Sequence, residues 1–257
     1  MADTALSVNL NKVALVRNAR ENDIPSVVRA AKICIAAGCQ GITVHPRPDQ
    51  RHVRPRDVEE LAELLQDHPE IEYNIEGNPF AGPEANGYPG WMELVELARP
   101  HQATLVPDSP DQLTSDHGWD IEKNAERLRP IIDRLRSWDA RVSLFVDPSP
   151  AGLELAARLG VARVELYTGP YAEAFDGDDK DVLEDILAGY RRTGEAALAA
   201  GLELNAGHDL NRENLPMLLS GVPGIAEVSI GHALIADALE MGYDATIRAY
   251  IEVIAGA

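Results

Sequence analysis

The chain has 257 residues, 45% of them hydrophobic, enough for a large core in one big domain or two small ones. Its 23 basic and 42 acidic residues leave a net charge of −19, which argues against a nucleic-acid or anionic-membrane surface, because either partner requires a basic face. No apolar run approaches the ~20 residues that span a bilayer and no leader is expected, while Cys34 and Cys39 read as small buried residues of a cytoplasmic protein.

In chain order, Ser7 to Leu10 alternates as a strand and leads into a polar stretch with Asn11, Lys12, Arg17, Asn18 and Arg20. Asp23 and Pro25 open a helix carrying Val27, Val28, Ala31 and Ile35 on one face, and Gly38 closes it. Gly41 to Val44 is a short β-branched strand. Directly after it come His45, Arg47, Arg51, His52 and Arg54, on a loop that Pro46, Pro48 and Pro55 keep from becoming helical. A cationic cluster in so acidic a chain asks for a reason: guanidinium forks suit phosphate or carboxylate, and imidazole moves protons near neutral pH. The competing reading is a solvated loop whose arginines pair with nearby acids.

Arg56 to Asp67 is an amphipathic helix, and Ile71 to Glu76 alternates so that Glu72, Asn74 and Glu76 share a face. Gly77 to Gly90, with four glycines and three prolines, is a long loop of the kind that is a functional lid or disordered. A helix over Met92 to Ala98, a strand over Ala103 to Val106 and a loop over Asp108 to Gly118 follow. Ile121 to Trp138 is a helix with an expected kink at Pro130. Further strands fall at Arg141 to Asp147, Arg163 to Gly169, Leu202 to Ala206 and Ile225 to Ile230; helices fall at Leu153 to Leu159, Asp181 to Ala200, Asn214 to Leu219 and Ala233 to Ile254.

Eight β-then-α units at roughly 30-residue spacing point to a (β/α)8 barrel, an α/β fold spanning residues 1–257 as a single domain. A doubly wound open sheet would need a glycine-rich fingerprint after the first strand, and none is there. In a barrel, the strand ends and the loops after them form one cavity. That gathers Asn9, Asn11, Lys12 and Arg20; His45, Arg47 and His52; Glu72 or Glu76; Thr114; and Glu165. It adds Gly207-His208-Asp209 and Gly231-His232, where loops after strands 7 and 8 bind phosphate through glycine N–H groups, the alternative being plain turn glycines. With the arginines as a second anion site, the substrates would carry two phosphates. Glu72, buried in a lumen, would act as a base with a raised pKa; an ion-paired structural Glu is the competing reading.

The motifs VNLNKVALVRNAR, GITVHPRPDQRHV, IEYNIE, VELYTG, NAGHDL and SIGHALI, in order over nearly the whole chain, resemble the pyridoxine 5′-phosphate synthase family. The resemblance implies a ring-closing condensation of 1-deoxy-D-xylulose 5-phosphate with 3-amino-2-oxopropyl phosphate, giving pyridoxine 5′-phosphate, phosphate and water. It implies His45 and Glu72 as proton acceptors, His208 as proton donor and Glu165 as transition-state stabiliser. It places Asn9, Arg20, Gly231 and His232 on the amino-ketone phosphate and Arg47, His52 and Thr114 on the deoxyxylulose phosphate. A homo-octamer is implied, with Arg20 serving a neighbouring subunit's site.

Two departures stand out. Many members have Asp-His where this chain has Asn11-Lys12; both stay assigned to the sugar-phosphate site, without proton transfer. Many have Gly where this chain has Asp209, so a ligand role there would run through the backbone N–H. The Gly77 to Gly90 loop is also longer than in many relatives. The ring closure consists of proton transfers, so neither a redox cofactor nor a metal is expected. The rival readings are a barrel aldolase or isomerase of one phosphosugar, a metal-dependent hydrolase using His45, His52, His208 and Glu72, and a silent phosphate-binding barrel.

Overall fold

A computed structural model describes residues 4–109 and 112–257. Its strands are β1 (Ala5–Asn9), β2 (Gly41–Val44), β3 (Glu72–Gly77), β4 (Gln102–Leu105), β5 (Arg141–Val146), β6 (Arg163–Tyr167), β7 (Glu203–Gly207) and β8 (Ile225–Ile230). Each pairs in parallel with the next, and β8 pairs with β1, closing the (β/α)8 barrel that the strand spacing implied. Around it lie α1 (Asn11–Asn18), α2 (Val27–Ala37), α3 (Pro55–Gln66), α4 (Trp91–Ala98), α5 (Ile121–Ser137) and α6 (Leu153–Leu159). The ring is completed by α7 (Gly169–Asp176), α8 (Lys180–Ala199), α9 (Leu215–Gly221), α10 (His232–Met241) and α11 (Tyr243–Ala255). Among the described residues no helix is long and apolar enough to cross a membrane.

Local chemistry sets the boundaries. Ser26 Oγ accepts from the Arg29 N–H at the start of α2, and Gly38, with φ +106°, ends it. Pro55 opens α3 at a position where no N–H is needed. Three elements differ from expectation. Asn11–Asn18 is helical although Leu10 offers no side-chain cap, and α7 fills part of the stretch between β6 and α8. The C-terminal helix is two helices, broken at Gly242, whose φ of +81° falls in the left-handed region that favours glycine. The loop expected over Asp108 to Gly118 contains residues 110 and 111, which lie outside the described residues.

Alternation divides the strands' side chains between two compartments. Leu6, Val8, Ile42, Val44, Tyr73, Ile75, Val164, Leu166, Leu204 and Val228 join the helices in the apolar core. The other face is polar: Ser7 bonds Thr43, and Thr104 bonds Asn74, both across neighbouring strands. Arg163 on β6 reaches both Glu72 on β3 and Glu227 on β8, which is possible only through the lumen. This barrel is therefore filled with hydrogen-bonding groups, not with the branched aliphatic layers common in such folds.

The segment Gly77 to Gly90 is anchored at its ends, with residues 82–87 exposed between them. Its Tyr88 is buried and donates its hydroxyl to the Pro46 carbonyl, and Trp91, also buried, donates its indole N–H to the Glu76 carbonyl. A Cβ at Gly77 would lie 2.3 Å from the Trp91 ring, so the indole seat requires glycine there.

Candidate active site

At the C-terminal mouth of the barrel a chain of short-range contacts fixes His45, the residue after β2. The Asn11 N–H donates to Asn9 Oδ1 at 3.0 Å, and Asn11 Oδ1 accepts the His45 backbone N–H at 2.9 Å. An amide at position 11 thus performs a structural acceptor's task. Asn9 Nδ2 donates at 3.4 Å to Glu76 Oε2, which lies 3.6 Å from His45 Nδ1. The other ring nitrogen, Nε2, lies 3.4 Å from Asp108 Oδ2. His45, Glu76 and Asp108 are all buried, and His45, Arg47, Tyr88 and Asp108 line a cavity of about 230 Å³. In the sequence Asp108 is one residue of a polar loop, marked only by its position directly behind β4 and Pro107.

Glu72 is elsewhere. It is the first residue of β3, four positions before Glu76, or about 13 Å along the strand at ~3.3 Å per residue. There it pairs with Arg141 and, at 3.2 Å, with Arg163, beside Glu203 and Glu227 at the opposite rim. Glu72 is thus an ion-paired group at the far end of the strand, and Glu76 is the carboxylate that reaches the mouth beside His45. The four-residue metal set containing Glu72 disperses with it, and among the described residues no three His, Cys, Asp or Glu side chains are grouped to hold a metal ion.

Glu165 projects from β6 into the lumen. Burial, then the negative charges of Glu76 and Glu227, push its pKa well above the usual carboxylate range, which favours its protonated form. Gly207 makes room for it: a Cβ there would lie 2.3 Å from Glu165 Oε1. His208 and Asp209 adopt left-handed backbone conformations, with φ +97° and +55°. The Thr168 hydroxyl donates to the Gly207 and His208 carbonyls, and Asn214 Nδ2 donates to the Asp209 carbonyl, which stabilises this bend. The His208 ring meets Thr114 Oγ1 at 2.9 Å through Nε2 and Asp209 Oδ2 at 3.1 Å through Nδ1, and stands edge-on to Tyr167. The hydrogen bond with His208 holds the Asp209 carboxyl below its usual range, helped by the charges of His232 and Lys12. Its side chain is thus turned to His208.

His52 is buried, and its Nδ1 accepts the Val53 N–H at 2.9 Å. Burial, then the neighbouring His45, Arg47, Arg51 and Lys12, push its pKa down to about 2. The ring is therefore neutral, with its proton on Nε2 as a donor. Two residues of α1 hold this loop: Asn18 Nδ2 donates to the carbonyls of Gln50, Arg51 and His52, and the buried Arg17 pairs with Asp57 and donates to the His52 carbonyl. Gly231 is the N-cap of α10, where a Cβ would lie 3.1 Å from that of Asn9, and His232 is the exposed first residue of the helix. Among the described residues no side chain caps this helix, so its first N–H groups are open to an anion. Arg20 is exposed beyond α1, in a cleft of about 460 Å³ lined by residues 18–23 and Arg54.

Imidazoles and carboxyls beside arginine and an uncapped helix start, at the C-terminal mouth of the barrel, are the equipment of a barrel enzyme acting on small molecules. The chain belongs to the pyridoxal phosphate biosynthesis protein PdxJ family, whose model matches residues 6–256. It is an enzyme of pyridoxine 5′-phosphate synthesis. The pyridoxine 5′-phosphate synthase of Albidiferax ferrireducens is 56% identical over 98% of both chains, and that of Xanthomonas oryzae pv. oryzae 53% identical over 98% of this chain and 97% of its own. Among solved structures, a mutant tryptophan synthase alpha-subunit from Pyrococcus furiosus superposes with a TM-score of 0.61 at 14% identity, over 100% of this chain and 99% of that one. That likeness shows the shared barrel fold alone.

Proposed function

We propose that the mouth condenses 1-deoxy-D-xylulose 5-phosphate with 3-amino-2-oxopropyl phosphate to give pyridoxine 5′-phosphate, phosphate and water. The observation that carries this reading is His45 held between Glu76 and Asp108, 3.6 and 3.4 Å from its two nitrogens, at the top of a polar lumen. Imine formation, enolisation and the two eliminations need groups that take protons and groups that return them. His45 and Glu76 are the acceptors. His208, anchored by Thr114 and Asp209, is the donor, and Glu165, in its protonated form, stabilises developing negative charge by hydrogen bonding.

Arg47, the neutral Nε2–H of His52, Lys12 and Thr114 hold the deoxyxylulose phosphate, with Asn11 fixing the loop they share. Asn9, the N–H groups at Gly231 and His232, and Asp209 through its backbone N–H serve the amino-ketone phosphate. Arg20, exposed beyond α1, fits a role at a neighbouring subunit's site in a homo-octamer working in the cytoplasm. No cofactor is required.

The test is product formation by purified, chelator-treated protein given both phosphates, followed by pyridoxine 5′-phosphate absorbance. Product that disappears in folded His45→Ala and Glu76→Gln variants supports the assignment. Turnover of either phosphate alone would instead mark an aldolase or isomerase.

A further inference from the structure

Asp108 is a buried mouth residue that neither the sequence motifs nor the substrate assignment uses. Its Oδ2 accepts from Arg47 Nη2 at 2.5 Å and from Ser115 Oγ at 2.9 Å, and lies 3.4 Å from His45 Nε2. Its backbone carbonyl accepts from Asn78 Nδ2 at 2.7 Å, which ties the start of the β4 loop to the end of β3. The other carboxylate oxygen, Oδ1, is buried without a hydrogen-bond partner among the described residues. One oxygen thus carries three contacts and its twin carries none. A half-satisfied buried carboxylate is displaced more readily than a satisfied one.

We propose that Asp108 is a positioning residue for His45 and the internal competitor of the substrate phosphate at Arg47. The inference rests on the reading of Arg47 as a phosphate anchor. A carboxylate oxygen at the guanidinium fork stands where an anionic phosphate oxygen would stand, since the fork accepts either. A phosphate that takes over Arg47 releases Asp108 to accept a full hydrogen bond from His45 Nε2–H. That bond fixes the tautomer in which Nδ1, the nitrogen facing Glu76, carries the lone pair, as a carboxylate orients a catalytic imidazole elsewhere. Substrate occupancy and readiness of the base are thereby coupled through one side chain.

The two tasks move KM and kcat in the same direction when the charge is removed, which a merely structural Asp would not do. For Asp108→Asn, calorimetric titration with inorganic phosphate is expected to show about five- to tenfold tighter binding, and the gain disappears in an Arg47→Gln background. KM for deoxyxylulose phosphate falls by a similar factor, while kcat falls at least about tenfold because His45 loses its anionic acceptor. Asp108→Glu keeps the charge, so it stays near wild-type phosphate affinity and retains more of kcat. If Asp108→Asn melts below the assay temperature, Asp108→Ser carries the same comparison. Phosphate affinity unchanged or weakened in a folded Asn variant, with KM rising, overturns the inference alone when the wild type turns over. Wild-type protein that neither binds phosphate nor forms product overturns the Arg47 reading and this inference with it.

Discussion

Thr114 Oγ1 and His208 Nε2 lie 2.9 Å apart, so the loop after β4 is fastened to the loop after β7, on the other side of the barrel mouth. A hydrogen bond at so exposed a threonine adds little to folding, about 1 kcal/mol at most. Its effect belongs to the donor histidine, whose ring it orients together with Asp209.

Thr114→Val keeps the shape of the side chain and removes the hydroxyl. Steady-state kinetics are expected to show kcat/KM lower by about tenfold, with a melting temperature within a degree or two of the parent. Unchanged kinetics would separate the tie from catalysis.

The two glutamates of β3 divide chemistry from stability. Glu76→Gln is expected to lower kcat by about 10²- to 10⁴-fold while leaving the fold intact. Glu72→Gln should keep most of kcat and lose about 1–3 kcal/mol in urea unfolding, because Arg141 and Arg163 are left short of a counter-charge. The reverse pattern would restore Glu72 as the base.

Gly207 and Glu165 compete for one space. A Cβ at position 207 meets Glu165 Oε1 at 2.3 Å, so Gly207→Ala should cost about 1–3 kcal/mol and reduce kcat about 100-fold as the carboxyl is pushed aside. Glu165→Gln tests the protonated state. The folded pKa lies above the unfolded value of 4.5, so the parent loses stability as pH rises from 4.5 upward, and the uncharged Gln does not. The variant is therefore expected to melt higher relative to the parent at pH 8 than at pH 4.5.

His52 has the opposite sign. The folded ring stays neutral down to about pH 2 while the unfolded ring protonates below 6.5, so acid favours the unfolded chain across that window. Between pH 6 and pH 4.5 a folded His52→Asn variant is expected to lose less melting temperature than the parent, the parent's extra loss approaching about 1.4 kcal/mol per pH unit. Equal slopes would mean that His52 titrates normally in the folded state.

Period-two alternation and glycine-marked helix ends made the eight strands legible, because those signals are local. The helix at Asn11–Asn18 was not, since its first turn has neither an acidic residue nor a side-chain cap and its stability comes from packing Val13 and Ala14. The break at Gly242 was passed over because apolar residues continue on both sides of it. His45 and His208 are readable because each directly follows a strand, Arg47 and His52 because they belong to the cationic loop after β2, and Glu165 because it is a charged residue inside a strand. Glu72 and Glu76 share a face, so alternation alone could not separate them; only the end of the strand, marked by Gly77, tells which one reaches the mouth. Asp108 acquires its meaning from Arg47 and His45, 61 and 63 positions earlier (108 − 47 and 108 − 45), and such a pairing leaves no trace in spacing.

The division between an apolar shell outside the strands and a hydrogen-bonded interior has a consequence for how such a chain can change. What keeps the polypeptide folded and what acts on its substrates occupy separate compartments with the sheet as the wall between them. Exchanges among polar side chains at the mouth end of the interior therefore alter which molecules are transformed, while the apolar shell and the ion pairs at the far rim hold the scaffold together. New chemistry is accessible to this barrel by rewriting its interior alone.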